Sequence, residues 1–420
     1  MNTFSNSIYY DGSGYRMQKK SLLDICNEVD KPSYIYDMNY ILDKYQKFIK
    51  CFDVDNLQVF YAMKANYNPH ILRIMKENGL GLDAVSPAEV LLGLKLGFDP
   101  KKILFTGNNM TDEEMDIIHN EGVLFIIDSL SRLEEYGKSY PGSKVGLRIN
   151  PDVVAGETPM VQTAGDLSKF GILMSDVPKA IAISQKYNIH IIGLHEHTGS
   201  GISDLDKVIE GMKSLIGIAK PEDFPDLEFI DFGGGFKVPY SSEDVEIDYV
   251  EFGKRTTDLF KELCNLYQRD LSLYFEPGKY LVADSGAYLV QVNTIKDNRG
   301  RLIVGTNGSF TQLIRPMLYD AYHHIVNLSN PEGSPERYDV YGNICESTDC
   351  FAFEREIPKI RVGDYLAIMN AGGYCRSMAS EYNLRPFPSE YLLYNDDLIT
   401  NKKSLTPSDL AERVLKDYGL

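Results

Sequence analysis

From residue 57 to residue 275 the chain alternates short apolar runs, rich in β-branched and aromatic residues, with amphipathic stretches of helical period. The apolar runs fall at 57–62, 81–85, 103–106, 123–127, 144–149, 191–196, 227–231 and 271–275. Between them lie segments such as PHILRIMKENG, SPAEVLLGLKLG and TDEEMDIIHNEG, which open on Pro, Ser or Thr and close on Gly, as helices do. Eight strand–helix units in succession predict a (β/α)8 TIM barrel, an α/β fold. The interval from 150 to 190 is longer than one helix needs. It contains INPDVVAGETPMVQTAGDLSKFGI, a Gly- and Pro-punctuated loop ahead of a helix from about Asp176, and loops of that length tend to be functional.

Beyond Glu276 the period changes. YLVQVNTIKD, RLIVGTNGS, YDVYGNI, DYLAIMNAGGY and SEYLLYND alternate strand-like runs with turns, and most are not separated by a helical unit. This predicts a second, mostly antiparallel β-barrel domain from 279 to 420, joined by residues 1–32 and completed by a strand from that N-terminal stretch, with the TIM barrel at 33–278.

With 60 acidic and 43 basic residues the formal charge is −17, which argues against nucleic acid or an anionic membrane as a partner and favours small-molecule chemistry. The first 20 residues, MNTFSNSIYYDGSGYRMQKK, have no apolar core for a signal peptide, and no run approaches a bilayer span; the expectation is a soluble, cytoplasmic protein. Six cysteines without a CxxC pair in 420 residues do not make a disulfide framework and are expected to be reduced thiols.

In a TIM barrel, chemistry collects at the carboxyl ends of the strands. Lys64 follows the first run, Asp83 lies in the second, His195 and His197 end the sixth, the Gly233–Gly235 loop follows the seventh, and Glu276 follows the eighth. HEHTGSG at 195–201 could hold a metal, but no third ligand of matching type is apparent and none is assigned; Ser200 between two glycines suits an anion better. DFGGGF at 231–236 is weak alone, yet the loops after strands seven and eight are common phosphate sites. Two phosphate loops and a lysine on one rim imply a phosphorylated cofactor joined as an imine, which fits pyridoxal phosphate. Glu276 could then pair with the pyridine nitrogen and keep it protonated. Arg315 offers a planar fork for a substrate carboxylate, although a surface salt bridge would explain it too. Cys345, beside Glu346, sits between β runs, where a cysteine is more often small buried filler than an acid.

Taken in order, YAMKAN (61–66), LRINPDVVAG (147–156), SKFGI (168–172), GLHEHTGSGI (193–202), DFGGGF, FEPGKYLV (275–282), LIRPMLYDAYH (313–323), CESTDCF (345–351) and SMASEYNLRPFPSEYLL (377–393) resemble the fold type III pyridoxal phosphate decarboxylases. Within that family the pattern is most similar to members acting on diaminopimelate, from about residue 33 nearly to the C-terminus. The resemblance implies that Lys64 holds the cofactor covalently and that His197 stacks on its ring. It implies that Ser200, Gly234, Gly235, Glu276, Gly278, Lys279 and Tyr374 hold the cofactor, largely through its phosphate, with Glu276 on the ring nitrogen. Lys279, Arg315, Tyr319, Glu346 and Tyr374 would serve the substrate. Cys345 of the partner subunit, in a homodimer with shared active sites, would return the proton. The expected reaction is decarboxylation of meso-diaminopimelate to L-lysine. The alternatives are the same chemistry on carboxynorspermidine, a D-amino acid or a carrier-bound glutamyl group, or a catalytically silent regulator that kept the fold.

Three departures from the family pattern stand near the substrate: Lys279 where the family usually has arginine, NGSFTQ ahead of LIRP, and GGY at 372–374 for the commoner GAY. Lysine keeps the charge at 279 but loses the bidentate fork.

Overall fold

A computed structural model describes residues 7–153, 164, 168–201, 204–241 and 243–420. Residues 154–156 of LRINPDVVAG, Ile202 and most of the 154–167 loop lie outside the described residues. The chain divides into two units: Lys44–Lys237 with Val245–Tyr280, and Met1–Asp43 with Val238–Asp244 and Leu281–Leu420.

The first unit is the TIM barrel. Its strands are β1 (Leu57–Ala62), β2 (Gly81–Ala84), β3 (Ile103–Phe105), β4 (Leu124–Ile127), β5 (Lys144–Asn150), β6 (His190–His195), β7 (Phe229–Asp231) and β8 (Ser272–Phe275). Each pairs in parallel with the next, and β8 closes on β1 with Phe275 opposite Val59. All eight coincide with the apolar runs. A further two-residue strand, Ile172–Leu173, runs parallel to the end of β5. It is too short to show a hydrophobic period.

The helices begin where the sequence supplies donors' partners. Asn68 accepts from the His70 N–H ahead of Pro69, Ser86 accepts from Glu89 ahead of Pro87, and Thr111 with Glu114 forms a capping box. Phe60, Leu104, Ile126, Ile192 and Phe229, from five different strands, meet in one buried cluster, so the barrel interior is packed rather than hollow. Space for this is local: a Cβ on Gly193 would come within 2.0 Å of the Phe229 ring, so only glycine lets that ring lie across β6.

The second unit is built on a nine-stranded sheet. Gly286–Asn298 is its longest strand and pairs antiparallel with Arg301–Thr306, Tyr365–Ile368 and Ser33–Asp37. Two of its pairings are parallel, Arg301–Thr306 with Pro335–Tyr341 and Ser33–Asp37 with Ser389–Tyr394. The strand that the N-terminal part contributes is therefore Ser33–Asp37, placed in the TIM barrel on sequence grounds. All five of its residues are buried, so it reads like a barrel strand, while Tyr34 stacks on Tyr288 of its actual neighbour. Residues 7–32 form a separate three-stranded sheet and the helix Leu22–Glu28; their Ile8, Met17, Leu22 and Ile25 join the core around Ile35 and Leu289.

Among the described residues no helix is long and apolar enough to cross a membrane. Phe229 is fully buried and stacks on Tyr274 with ring centroids 4.5 Å apart. Phe229→Ala should cost about 3–5 kcal/mol of stability, read from the urea midpoint, because the rigid strands around it cannot collapse into the void.

Candidate active site

The residues just past the barrel strands share the strands' burial, and several of them are charged: Asp128, Glu196 and Glu276 are each at most 6% exposed. Lys64 sits in a single 3-10 turn, Met63–Ala65, directly after β1. Its Nζ lies 2.5 Å from Oδ2 of Asp83 in β2, which has no exposed surface, and Oδ1 of Asp83 accepts from the Thr106 hydroxyl after β3. Arg148 in β5 is almost wholly buried, with its guanidinium 4.5 Å from the Phe170 ring. Burial pulls its pKa down, and the charges of Glu276, Asp128, Asp83 and Glu196 oppose that pull.

His195 and Glu276 end β6 and β8, and Nε2 of the first lies 3.2 Å from Oε1 of the second. Burial, then the charge of Arg148, holds His195 well below its ordinary pKa, so the ring is neutral. His197 is held low by burial, Arg148 and Lys64; its Nδ1 accepts from the Gly234 N–H at 3.4 Å, which leaves the ring proton on Nε2. Burial raises Glu276, and the charges of Lys64 and Arg148 work against the rise. Glu196, between the histidines, is pushed up to about 8 by burial.

The glycine loops after β6 and β7 lie backbone against backbone. Gly235 has φ +88°, and a Cβ there would come within 1.8 Å of the Gly199 carbonyl oxygen. The next strand joins this cradle, since the Glu276 N–H donates to the Gly233 carbonyl at 2.6 Å and the N–H of Ala62, the last residue of β1, donates to that of Pro277. Glycine-rich turns suit a phosphate, although here the Gly233 and Gly234 N–H groups donate to Asp231 and His197. Among the described residues nothing forms a hydrogen bond to Glu276 Oε1, the His195 Nε2 at 3.2 Å included, so this buried carboxylate oxygen is open to a ring nitrogen. A side-chain amine, a phosphate cradle and an unsatisfied carboxylate on one rim fit pyridoxal phosphate.

Comparison with known proteins agrees. Residues 38–283 match the family described as pyridoxal-dependent decarboxylase, pyridoxal binding domain. A diaminopimelate decarboxylase of Methanothermobacter thermautotrophicus is 39% identical over 396 residues, 92% of each chain. The chain belongs to the pyridoxal-dependent decarboxylases. Among solved structures, diaminopimelate decarboxylase of Helicobacter pylori in complex with L-lysine superimposes with a TM-score of 0.86 at 30% identity, over 95% of this chain and all of that one. The M. jannaschii enzyme in co-complex with L-lysine gives 0.90 at 27% identity over 98% of both. The cofactor is pyridoxal 5'-phosphate and the chemistry is that of a carboxy-lyase.

Of the site residues expected from sequence, Lys64, His197, Ser200, Gly234, Gly235, Glu276, Gly278 and Lys279 belong to the barrel unit of this decarboxylase; Arg315, Tyr319, Cys345, Glu346 and Tyr374 belong to the β unit. There the Arg315 guanidinium lies 5.1 Å from the Tyr240 ring and 5.8 Å from that of Tyr319. Tyr374 has φ +55°, a left-handed backbone that a tyrosine adopts only under constraint. Cys345 is exposed, and its N–H donates to Asn383 Oδ1 at 3.1 Å. Sequence reading gave no role to Arg148, Asp128, Glu196 or Asp231. Their signal was available: each is a charged residue in or just beyond the carboxyl half of a barrel strand, where burial is the rule.

Two outcomes follow from this geometry. Gly235→Ala should weaken cofactor binding at least about tenfold in equilibrium dialysis, because the methyl group has nowhere to go. Glu196 holds its proton up to about 8 when folded, against 4.5 ordinarily, so the native state binds more protons across that window and stability falls as pH rises from 4.5 to about 8. Each pKa unit is worth about 1.4 kcal/mol, and urea midpoints measured along that range should fall less steeply for Glu196→Gln than for the wild type.

Proposed function

We propose that this chain decarboxylates meso-diaminopimelate to L-lysine, in the cytoplasm, as a homodimer. The observation that carries the reading is its likeness, over nine-tenths of its length, to diaminopimelate decarboxylases, two of them solved with L-lysine. Bound pyridoxal phosphate supplies an electron-withdrawing ring that takes up the electron pair released when a carboxylate leaves as carbon dioxide.

The residues of the chain do the rest. Lys64 anchors the cofactor through Nζ, and Asp83 fixes where that nitrogen sits. His197, neutral, stacks on the ring without adding charge. Ser200, Gly234, Gly235, Gly278, Lys279 and Tyr374 hold the cofactor, chiefly by its phosphate, and Glu276 keeps the ring nitrogen protonated. Meso-diaminopimelate carries a second amino acid end, which needs a cation for its carboxylate and an anion for its ammonium; Arg315 and Glu346 supply them, with Lys279, Tyr319 and Tyr374 lining the pocket. Cys345 of the partner subunit delivers the proton from Sγ to the carbon that lost its carboxylate. Its exposure favours a residue presented to another subunit.

In a panel that includes meso-diaminopimelate, carboxynorspermidine and D-amino acids, carbon dioxide should be released from meso-diaminopimelate with L-lysine as the co-product; no turnover at millimolar concentration would reject the substrate. Lys64→Ala and Cys345→Ala should each be inactive alone, and a mixture of the two should regain part of the activity through hybrid dimers. Exchange of subunits without any rescue would place Cys345 in its own subunit's site.

A further inference from the structure

Asp231, the last residue of β7, has no exposed surface and no role in the account so far. Its Oδ1 accepts from the Gly233 N–H at 2.8 Å, which ties it to the glycine loop. Its Oδ2 is buried without a hydrogen-bond partner among the described residues, and so is Glu276 Oε1. Ligand atoms of Asp231, Glu276 and His195 all lie within 4.8 Å of one another. Two ionised carboxyl groups in one dry pocket present only lone pairs to each other, and the arrangement is satisfied when one of them carries a proton.

The surroundings decide which one. Lys64 and Arg148 bear on Glu276 and favour its charged form. The charged groups bearing on Asp231 are Glu276 and Asp83, both acidic, and burial with these two charges holds its proton on. His195, neutral, faces Glu276 from β6. We infer that Asp231 is a positioning residue for Glu276: it keeps a proton on Oδ2 and donates it to the Glu276 carboxylate, while Oδ1 remains on the Gly233 amide. One side chain then aligns the partner of the ring nitrogen with the loop that holds the phosphate. The consequence for catalysis rests on Glu276 pairing with the ring nitrogen, as proposed above.

The test separates the two. Infrared difference spectra of the full chain freed of cofactor, wild type minus Asp231→Asn, should show a carboxylic-acid carbonyl band that persists far above the ordinary pH range for Asp. In the loaded enzyme Asp231→Asn keeps a neutral donor, and the acid limb of its kcat–pH profile should stay in place. Asp231→Ala leaves Glu276 without that donor; the charged carboxylate is then disfavoured, its pKa rises, and the acid limb should move up by about one unit, with cofactor affinity down about tenfold. A difference spectrum without that band above the ordinary range overturns the inference. So does an Asp231→Asn profile displaced as far as that of Asp231→Ala. Glu276→Gln with unchanged kcat would instead overturn the ring-nitrogen contact and leave the proton on Asp231 standing.

Discussion

At the carboxyl end of the barrel, buried carboxyl groups outnumber the cations that face them. Asp83, Asp128, Glu196, Asp231 and Glu276 are each at most 6% exposed, and Arg148 and Lys64 are the cations that recur among them. An uncompensated buried charge costs several kcal/mol, so the acids divide into those a cation keeps ionised and those that keep their proton. Lys64 bears on Asp83, Lys64 and Arg148 on Glu276, and Arg148 on Asp128. At Glu196 burial outweighs Arg148, and Asp231 faces acidic charges, so these two keep their protons. The same division gives the site two kinds of carboxyl group a few ångströms apart, one a charge and one a hydrogen-bond donor, which is how a fold places acid and base side by side at a single pH.

Backbone geometry makes the division useful. The TIM barrel sends the ends of eight strands to one rim, and the glycine loops after β6 and β7 are packed so closely that their amides become part of the rim. Lys64 gains its position from a strand buried on both sides and a single turn after it, so the amine has little freedom to wander. In the proposed site, a pre-set amine and carboxylate would cost little to reorganise when the cofactor's charge is redistributed.

The barrel was legible because parallel strands buried on both faces write continuous apolar runs, and all eight were found where those runs lie. Ser33–Asp37 fell inside the 33–278 barrel bounds without being read as a strand, and its sheet is set by a partner about 250 residues away, Gly286–Asn298. Cofactor chemistry was legible because lysine, paired glycine loops and a glutamate on one rim have few other uses together. Arg148 and Asp231 were not, since a charged residue inside an apolar run looks like an irregularity until its neighbours in space are known. Lys279 remains the point at which the chain departs from its family in a residue proposed to touch both cofactor and substrate.

Lys64 is the residue proposed to carry the cofactor. Reducing the purified, cofactor-loaded protein with borohydride makes the lysine–cofactor bond permanent, and mass spectrometry of its peptides then locates it. The phosphopyridoxyl group should be found on the peptide that contains YAMKAN, at Lys64. Its attachment to a different lysine, or a protein that carries none after loading, would contradict the assignment of the site from the ground up.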